Sequence, residues 1–286
     1  MTPWIEAMRL RTLPVSISSV TAGCCAVKVY GHVAWLPALL CFVFAILAQI
    51  ASNFANEYFD FKAGLDKPGR EGPRRGVTEG DITPRQMLIA TCTTLALACA
   101  VGCSLIYWGG WWLIAAGAAI ALGVFAYSAG PYPLSRHGLG EVGVILFFGV
   151  VPVNLIFYIM TGTARGDVVI ASVGAGLMAA NILIVNNYRD REDDSAVGKT
   201  TLAVKLPPKA MIWLYYLNGL LGVACFLLLG GNFDKWIWLI PAGIYWLVNN
   251  AIATTMGRLK GRQLNPLLGM TALNFLMFTI LFYIVA

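Results

Sequence analysis

The chain has 286 residues, of which 58% are hydrophobic and 12% are charged, and its mean hydropathy is +0.72. Soluble domains carry about twice that share of charged residues, so the composition excludes an ordinary soluble protein and indicates a polytopic membrane protein. The formal net charge of +6 could suggest a nucleic-acid partner. The positive charges are instead distributed as in membrane proteins of fixed orientation, which argues against nucleic acid.

Nine apolar runs are long enough to cross a bilayer, which takes about 20 residues. We therefore expect an all-α fold: a bundle of about nine transmembrane helices that forms one domain over residues 1–286. The short, mixed N-terminal segment does not read as a cleavable signal peptide. The predicted spans cover roughly 13–30, 35–55, 86–107, 111–128, 141–161, 167–187, 211–230, 235–256 and 265–285.

The basic residues predict the orientation of this bundle. With nine spans, the N-terminal segment and the loops after spans two, four, six and eight lie on one side, and they carry 17 of the 20 Lys and Arg residues. The other side has only Lys28, Arg165 and Lys235. We expect an inner or plasma membrane protein with a cytoplasmic N-terminus and an extracytoplasmic C-terminus.

The seven cysteines all fall in apolar runs, with no Cys-x-x-Cys pair and no accompanying histidine cluster. This placement predicts small buried side chains and argues against disulfides or a zinc site.

A first polar cluster closes the second apolar run. Asn53, Asn56 and Asp60 recur at helical spacing and share one face, Glu57 lies beside that face, and Asp66 follows. Hard divalent ions prefer such oxygen ligands. The pattern therefore predicts part of a metal site on the cytoplasmic side, although a solvated helix end would also account for it.

The segment after this cluster is rich in glycine, proline and cations. Gly64 is expected to end the helix, and Arg70 and Arg75 lie in the loop that follows. Arginine forks match phosphate oxygens, so these two residues are predicted diphosphate contacts. A cytoplasmic loop that carries positive charge only for orientation is the alternative.

A second polar cluster repeats this spacing 130 residues later. Asn186, Asp190 and Asp194 share one face if the helix continues, and Asn186–Asp190 matches the spacing of Asn56–Asp60. Carboxylates so close at a helix end should repel each other unless a cation lies between them. Two matched clusters, each followed by basic residues, indicate two halves of one metal–diphosphate site.

Two further loops carry candidate residues. Gly198-Lys199-Thr200 looks like the end of a phosphate-binding loop, but the upstream glycine and the preceding strand are missing, so we reject a nucleotide hydrolase and keep Lys199 as a diphosphate contact. The turn-rich loop after span four contains Tyr127 and Tyr132. These tyrosines either line a cavity near the site or are ordinary interfacial aromatics.

Together these motifs resemble the UbiA superfamily of intramembrane aromatic prenyltransferases. Asn56–Asp60 resembles the first signature of that family, with Glu57 in place of the usual aspartate, and Asp190–Asp194 resembles the second. Three stretches are similar to the branch of the family that acts on 1,4-dihydroxy-2-naphthoate in menaquinone biosynthesis: residues 186–204, 130–134 and 138–141.

The resemblance implies Mg²⁺-dependent transfer of a polyprenyl group from an allylic polyprenyl diphosphate to 1,4-dihydroxy-2-naphthoate. Carbon dioxide and diphosphate would be lost and demethylmenaquinone formed. The implied metal ligands, direct or through water, are Asn56, Asp60, Asp190 and Asp194. Asp66 is a further candidate, because the family's next aspartate would fall at position 64, which is a glycine here. Three tyrosines are candidates to shield an allylic cation with a π face: Tyr58, Tyr127 and Tyr188.

Other functions remain open at this point. Within the superfamily, the acceptor could instead be a hydroxybenzoate, a haem, a chlorophyllide or a glycerol phosphate. A transporter for a divalent cation or a phosphorylated solute is the alternative from another class, but transport favours charges near the bilayer midplane. Spans three, four, seven and nine contain none.

Overall fold

The computed structural model describes residues 2–69, 72–230 and 236–286, and these residues form helices and loops without any strand. Within these residues, eight helices are long and apolar enough to cross a membrane. The remaining predicted span is a shorter apolar helix of 16 residues. In chain order the nine are α1 Leu13–Tyr30, α2 Trp35–Lys62, α3 Pro84–Ser104, α4 Leu113–Ser128, α5 Gly140–Thr161, α6 Gly166–Arg189, α7 Pro208–Leu227, α8 Leu239–Met256 and α9 Asn265–Val285.

The ends of α2 and α3 follow from local sequence. Helix α2 continues past the predicted apolar span to Lys62, and Gly64 then adopts a φ of 68°, which confirms its predicted role as a helix terminator. Helix α3 begins with a capping box, in which Thr83 and Gln86 satisfy each other's backbone N–H groups. The first polar cluster therefore lies on the last turns of a regular helix.

Helix α6 is the centre of the bundle. About 72% of the most apolar 18-residue stretch of α6 is buried inside the protein, against 17% for the same stretch of α3, which lies at the periphery. Glycines allow its close contacts: a Cβ on Gly174 would lie 2.6 Å from the carbonyl oxygen of Gly222 on α7, and a Cβ on Gly149 of α5 would lie 2.4 Å from Gly176. Close backbone approach through small residues is how membrane helices gain packing energy.

Helix α5 is irregular where it faces the interior. Residues Leu146–Val150 form a π-helical turn just before Pro152, which has no N–H to continue the regular ladder. Phe147 and Phe148 of this turn line a cavity between the helices. The wider turn thus presents two aromatic rings to the interior.

The prediction that all seven cysteines are buried is wrong for Cys92, Cys99 and Cys103. These three lie on α3, a peripheral helix of which little is buried, and Cys99 and Cys103 line a cavity between the helices. An apolar side chain on an exposed helix face or on a cavity wall gives the same sequence signal as a buried one. All seven cysteines are free.

Candidate active site

The side chain of Asn56, near the end of α2, binds two arginines that come from separate segments of the chain. Its Oδ1 accepts hydrogen bonds from Arg9 Nη2 at 2.6 Å and from Arg75 Nη2 at 3.1 Å. Its Nδ2 donates to Ser128 Oγ at the end of α4, at 3.0 Å. Arg9 has a φ of 52°, a left-handed conformation that non-glycine residues rarely adopt, between the short helix Pro3–Met8 and the next turn.

Asp60, one turn after Asn56, is contacted by two more cations. Arg136 Nη2 lies 3.4 Å from Asp60 Oδ1, and Lys199 Nζ lies 3.0 Å from Asp60 Oδ2. The same Lys199 Nζ is 3.7 Å from Asp194 Oδ1. One ammonium group therefore joins the two polar clusters, and the prediction that they belong to one site agrees with this geometry.

The second cluster keeps its shared face across a break in the helix. Helix α6 ends at Arg189, and a short helix, Arg191–Ala196, follows. The N–H groups of Asp190 and Asp194 still donate to the carbonyl oxygens four residues earlier, at 3.1 and 2.8 Å. Both carboxylates are consequently on the buried side, 2% and 7% exposed.

Arg189 neutralises this second cluster from within. Its Nε and Nη2 donate to the two carboxylate oxygens of Asp190 at 2.7 and 2.8 Å, which is a bidentate pair. Nη2 also donates to Asn186 Oδ1, and Nη1 donates to Asn265 Oδ1 at the start of α9. The positive charge that the clustered carboxylates were expected to require is supplied, at least in part, by the protein's own Arg189 and Lys199.

Arg136 and Lys199 reach Asp60 from two loops, and these two loops bind each other. The Arg136 carbonyl oxygen accepts from Thr200 N and Thr200 Oγ1, both at 2.9 Å, and Lys205 Nζ donates to the His137 carbonyl oxygen at 2.7 Å. The loop between α4 and α5 is thereby docked on the loop between α6 and α7.

Arg75, a predicted diphosphate contact, is buried in the loop after α2. Besides its contact with Asn56, its Nε lies 3.4 Å from Asp66 Oδ2 and its Nη1 lies 3.9 Å from Glu57 Oε2. Asp66 therefore lies beside the first cluster through Arg75. The other predicted contact in this loop, Arg70, lies outside the described residues.

A cavity of about 500 Å³ begins at this polar cluster and extends between helices α1 to α6. Most of its wall is apolar, and its far end lies where α3 and α5 end and α4 begins, at Leu105, Leu113 and Ile159. The polar groups are gathered at the near end: Arg9, Asn53, Asn56, Tyr127 and Asn186.

The three predicted tyrosines have different environments. Tyr127 lines the cavity beside Asn56 and Asn186. Tyr58 packs against Phe59 and a small hydrophobic cluster, and Tyr188 packs against the larger hydrophobic core. Tyr132 is 57% exposed and stacks on His137. A role in shielding a cation stays a prediction for Tyr58, Tyr127 and Tyr188.

The donor set fits a magnesium ion that shares its ligands with a substrate. Within residues 2–69, 72–230 and 236–286, no three His, Cys, Asp or Glu side chains form a ready-made metal centre. Buried Asp60 and Asp194 nevertheless face one cation, Lys199. Mg²⁺ usually takes only one or two carboxylates and completes its shell with water and phosphate oxygens.

Sequence reasoning missed Arg9 and Arg136 as site residues. Both were counted only among the cytoplasmic charges that set orientation. Their partners Asn56 and Asp60 lie 47 and 76 residues away in the chain, so no local spacing connects them. The only sequence signal is that both arginines border predicted spans on the side where the acidic clusters lie.

The cavity is apolar along most of its length, and its polar end at Arg9 and Asn56 adjoins the buried carboxylates and their cations. Such a cavity suits an amphiphile with a long apolar tail and an anionic head. Residues 16–264 match the UbiA prenyltransferase family. This chain therefore belongs to that family, as the resemblance of its motifs implied.

Individual relatives agree with this assignment. The chain is 38% identical over 223 residues to a 1,4-dihydroxy-2-naphthoate octaprenyltransferase of Mycobacterium tuberculosis, covering 77% of this chain and 75% of the relative. It is 35% identical over 212 residues to the protein of that name from Escherichia coli, covering 71% and 68%. A UbiA homologue from Archaeoglobus fulgidus, bound to GPP and Mg²⁺, superposes with a TM-score of 0.69 at 15% identity, over 99% of both chains. An apo UbiA homologue from Aeropyrum pernix superposes with a TM-score of 0.71 at 15% identity, over 93% of this chain and 96% of that one.

Proposed function

We propose that this protein transfers a polyprenyl group from an allylic polyprenyl diphosphate to 1,4-dihydroxy-2-naphthoate, with loss of diphosphate and carbon dioxide, to give demethylmenaquinone. The names of the curated relatives support this acceptor. The observation that carries the proposal is the cavity itself. An apolar chamber of about 500 Å³ ends where four cations surround Asn56 and Asp60.

The two parts of the donor, an apolar tail and an anionic head, match the apolar and polar ends of this cavity. Its polyprenyl tail would be removed from water by the apolar wall, which favours binding roughly in proportion to the apolar area buried. Its diphosphate would lie among the cations, because charge-assisted hydrogen bonds to phosphate are the strong ones. We assign diphosphate contacts to Arg70, Arg75 and Lys199, as the sequence predicts, and add Arg9 and Arg136.

We assign Mg²⁺ binding, directly or through water, to Asn56, Asp60, Asp66, Asp190 and Asp194. The bound ion would neutralise charge on the departing diphosphate. The protein's own cations hold these ligands in place: Lys199 spans Asp60 and Asp194, and Arg189 fixes Asp190. Because these groups are preorganised, they can stabilise negative charge as it develops on the leaving group.

The chemical step then depends more on shielding the developing allylic cation from water than on acid–base catalysis. As the C–O bond of the donor breaks, its electron pair stays on the diphosphate and an allylic cation develops. Tyr127, Phe147 and Phe148 line the cavity and exclude water, and the face of Tyr127 can stabilise the cation. A similar role for Tyr188 remains part of the proposal. The carboxylated ring carbon of the acceptor forms the new C–C bond, and its carboxylate leaves as carbon dioxide, returning an electron pair to the ring.

A product assay tests this proposal. Purified protein is incubated with Mg²⁺, farnesyl diphosphate and either 1,4-dihydroxy-2-naphthoate or 4-hydroxybenzoate, and the products are identified by mass spectrometry. We expect a prenylated naphthoquinol without the carboxyl group and no prenylated hydroxybenzoate. Prenylation of hydroxybenzoate alone would contradict the acceptor, and the absence of any transfer would contradict the activity.

We also propose that the active site faces the cytoplasm and that Ala286 lies outside. Lys and Arg within about 15–20 residues of the span ends decide such orientations, and the basic split of 17 to 3 supports this one. A pair of C-terminal reporters, one active only in the cytoplasm and one only outside it, tests the orientation. A cytoplasmic signal would contradict it.

A further inference from the structure

Glu57 is the acidic residue of the first cluster whose contacts point away from the cavity. Its side chain is buried, 1% exposed, next to Asn56. Its Oε1 accepts a hydrogen bond from the backbone N–H of Val77 at 3.0 Å. The same oxygen lies against Gly76, where an added Cβ would be 3.6 Å from it. The carboxylate thus binds the backbone of the loop that follows α2.

That loop has its own apolar attachment to the bundle. Val77 and Ile82 are 3% and 2% exposed, and they pack in a small cluster with Ala7, Phe54 and Met87. The N–H of Ile82 donates to the carbonyl oxygen of Gly76 at 3.0 Å, which closes the turn between them. The loop is therefore folded over the end of α2, with Glu57 beneath it.

The same carboxylate also faces Arg75, the residue just before this turn. Glu57 Oε2 lies 3.9 Å from Arg75 Nη1, while Arg75 Nη2 donates to Asn56 Oδ1 at 3.1 Å. Asp66 lies 3.4 Å from Arg75 Nε on another side of the guanidinium. Glu57 consequently contacts both the backbone and the charged side chain of the loop segment that reaches Asn56.

We propose that Glu57 is a positioning residue: it anchors the loop of residues 72–83 over the site and so places the Arg75 guanidinium on Asn56. It acts through this loop and does not bind the metal. A glutamate suits the task because an aspartate on the same backbone would be one methylene too short to reach Val77 N. The inference deepens the proposed function, since Arg75 matters for catalysis only if a diphosphate binds beside it.

Two conservative variants separate anchoring from metal binding. Glu57→Gln keeps the length and an oxygen acceptor for Val77 N, whereas Glu57→Asp keeps the charge and loses the reach. We expect Glu57→Asp to raise KM for farnesyl diphosphate about tenfold, the effect of losing one or two hydrogen bonds, and Glu57→Gln to stay within about threefold. The Mg²⁺ concentration for half-maximal rate should be unchanged in both. A metal ligand would give the opposite order, with Glu57→Gln the damaged variant and a shifted Mg²⁺ requirement.

Limited trypsin digestion reports the loop without any need for catalysis. A loosened loop should be cut faster at Arg74 and Arg75, so we expect Glu57→Asp to be cleaved at least about threefold faster than the wild type and Glu57→Gln at a similar rate to it. Glu79→Asp, in the exposed part of the same loop, is the matched control and should match the wild type in both assays.

The outcomes are distinguishable from those of the proposed function. If the wild-type protein transfers no prenyl group, the proposed function fails, and the digestion still decides whether Glu57 anchors the loop. Equal cleavage of Glu57→Asp and the wild type would overturn the anchoring role, whatever the activity. Melting temperatures are measured alongside, because a general loss of folding would raise cleavage throughout the chain and not in this loop alone.

Discussion

The two polar clusters share the Asn-x-x-x-Asp spacing but are neutralised in different ways. Asp60, in the first cluster, is paired with Arg136 and Lys199, which lie 76 and 139 residues away in the chain. Asp190, in the second, is paired with the adjacent Arg189. One half of the site is therefore assembled by tertiary contacts among loops, and the other is largely complete within a single helix end.

This difference indicates that the two polar clusters have different roles in the site. The second cluster is held by the pairing of Arg189 with Asp190 and by the hydrogen bond from Arg189 to Asn265 of α9, so we expect it to be rigid. The first depends on four segments that converge on the end of α2: the N-terminal turn with Arg9 and the loops with Arg75, Arg136 and Lys199. Loop residues that reach across a site are well placed to respond to a diphosphate, so we expect the first cluster to control donor binding more strongly.

The largest effect is expected for Asp60→Asn. The change removes the charge that Lys199 and Arg136 share, and it removes a proposed metal ligand, so we expect turnover to fall by about a thousandfold. Stability should fall as well, by about 3 kcal/mol, because two largely buried cations lose their partner. Turnover and melting temperature in detergent check both effects. Near-normal turnover would contradict the role of the first cluster, and an unchanged melting temperature would contradict the cationic assembly.

The features of the two clusters and of the bundle that the sequence could predict are those that depend on nearby residues in the chain. Nine apolar runs, the end of α2 at Gly64 and the shared face of Asn186, Asp190 and Asp194 follow from length, turn chemistry and a period of four residues. Each of these depends on neighbours within one helix. The sequence could therefore predict the bundle and the two acidic clusters.

The missing parts depend on contacts between distant segments. The convergence of Arg9, Arg75 and Arg136 on α2 has no periodic signal, because each arginine comes from a different loop or turn. The hydropathy pattern likewise could not distinguish buried cysteines from the exposed Cys92, Cys99 and Cys103. The pairing of Asp190 with its neighbour Arg189 was overlooked for another reason: it needs a side-chain conformation that sequence spacing does not define.

A smaller effect is expected for Asp190→Asn, and it tests the local pairing. Turnover should fall about a hundredfold. Because Arg189 would stay buried with only amide oxygens around it, stability should also fall, by about 3 kcal/mol. The double variant Asp190→Asn with Arg189→Met should recover part of the stability and none of the activity. If Asp190→Asn melts at the wild-type temperature, the second cluster is not held by Arg189.

The link between the two clusters is tested by Lys199→Met. This change keeps most of the side chain's length but removes the ammonium that contacts Asp60 and Asp194. We expect KM for the prenyl diphosphate to rise about tenfold to a hundredfold, the effect of losing a hydrogen bond to a charged group. Lys209→Met, at an exposed position near the start of α7, is the control and should resemble the wild type. Unchanged donor binding in Lys199→Met would contradict its place at the diphosphate.

The smallest effect is expected for Asp193→Asn, which tests whether orientation and not acidity defines the second cluster. Successive residues on a helix differ by about 100° in direction, so Asp193 and Asp194 point to different sides of the short helix Arg191–Ala196. Asp194 is 7% exposed and lies 3.7 Å from Lys199, whereas Asp193 is more exposed. We expect Asp193→Asn to keep turnover within about twofold and Asp194→Asn to lose about a hundredfold. Both variants remove one negative charge from the same turn, so the general electrostatic effect cancels in the comparison. Equal losses in the two would mean that the segment's total charge matters and not the face that Asn186, Asp190 and Asp194 share.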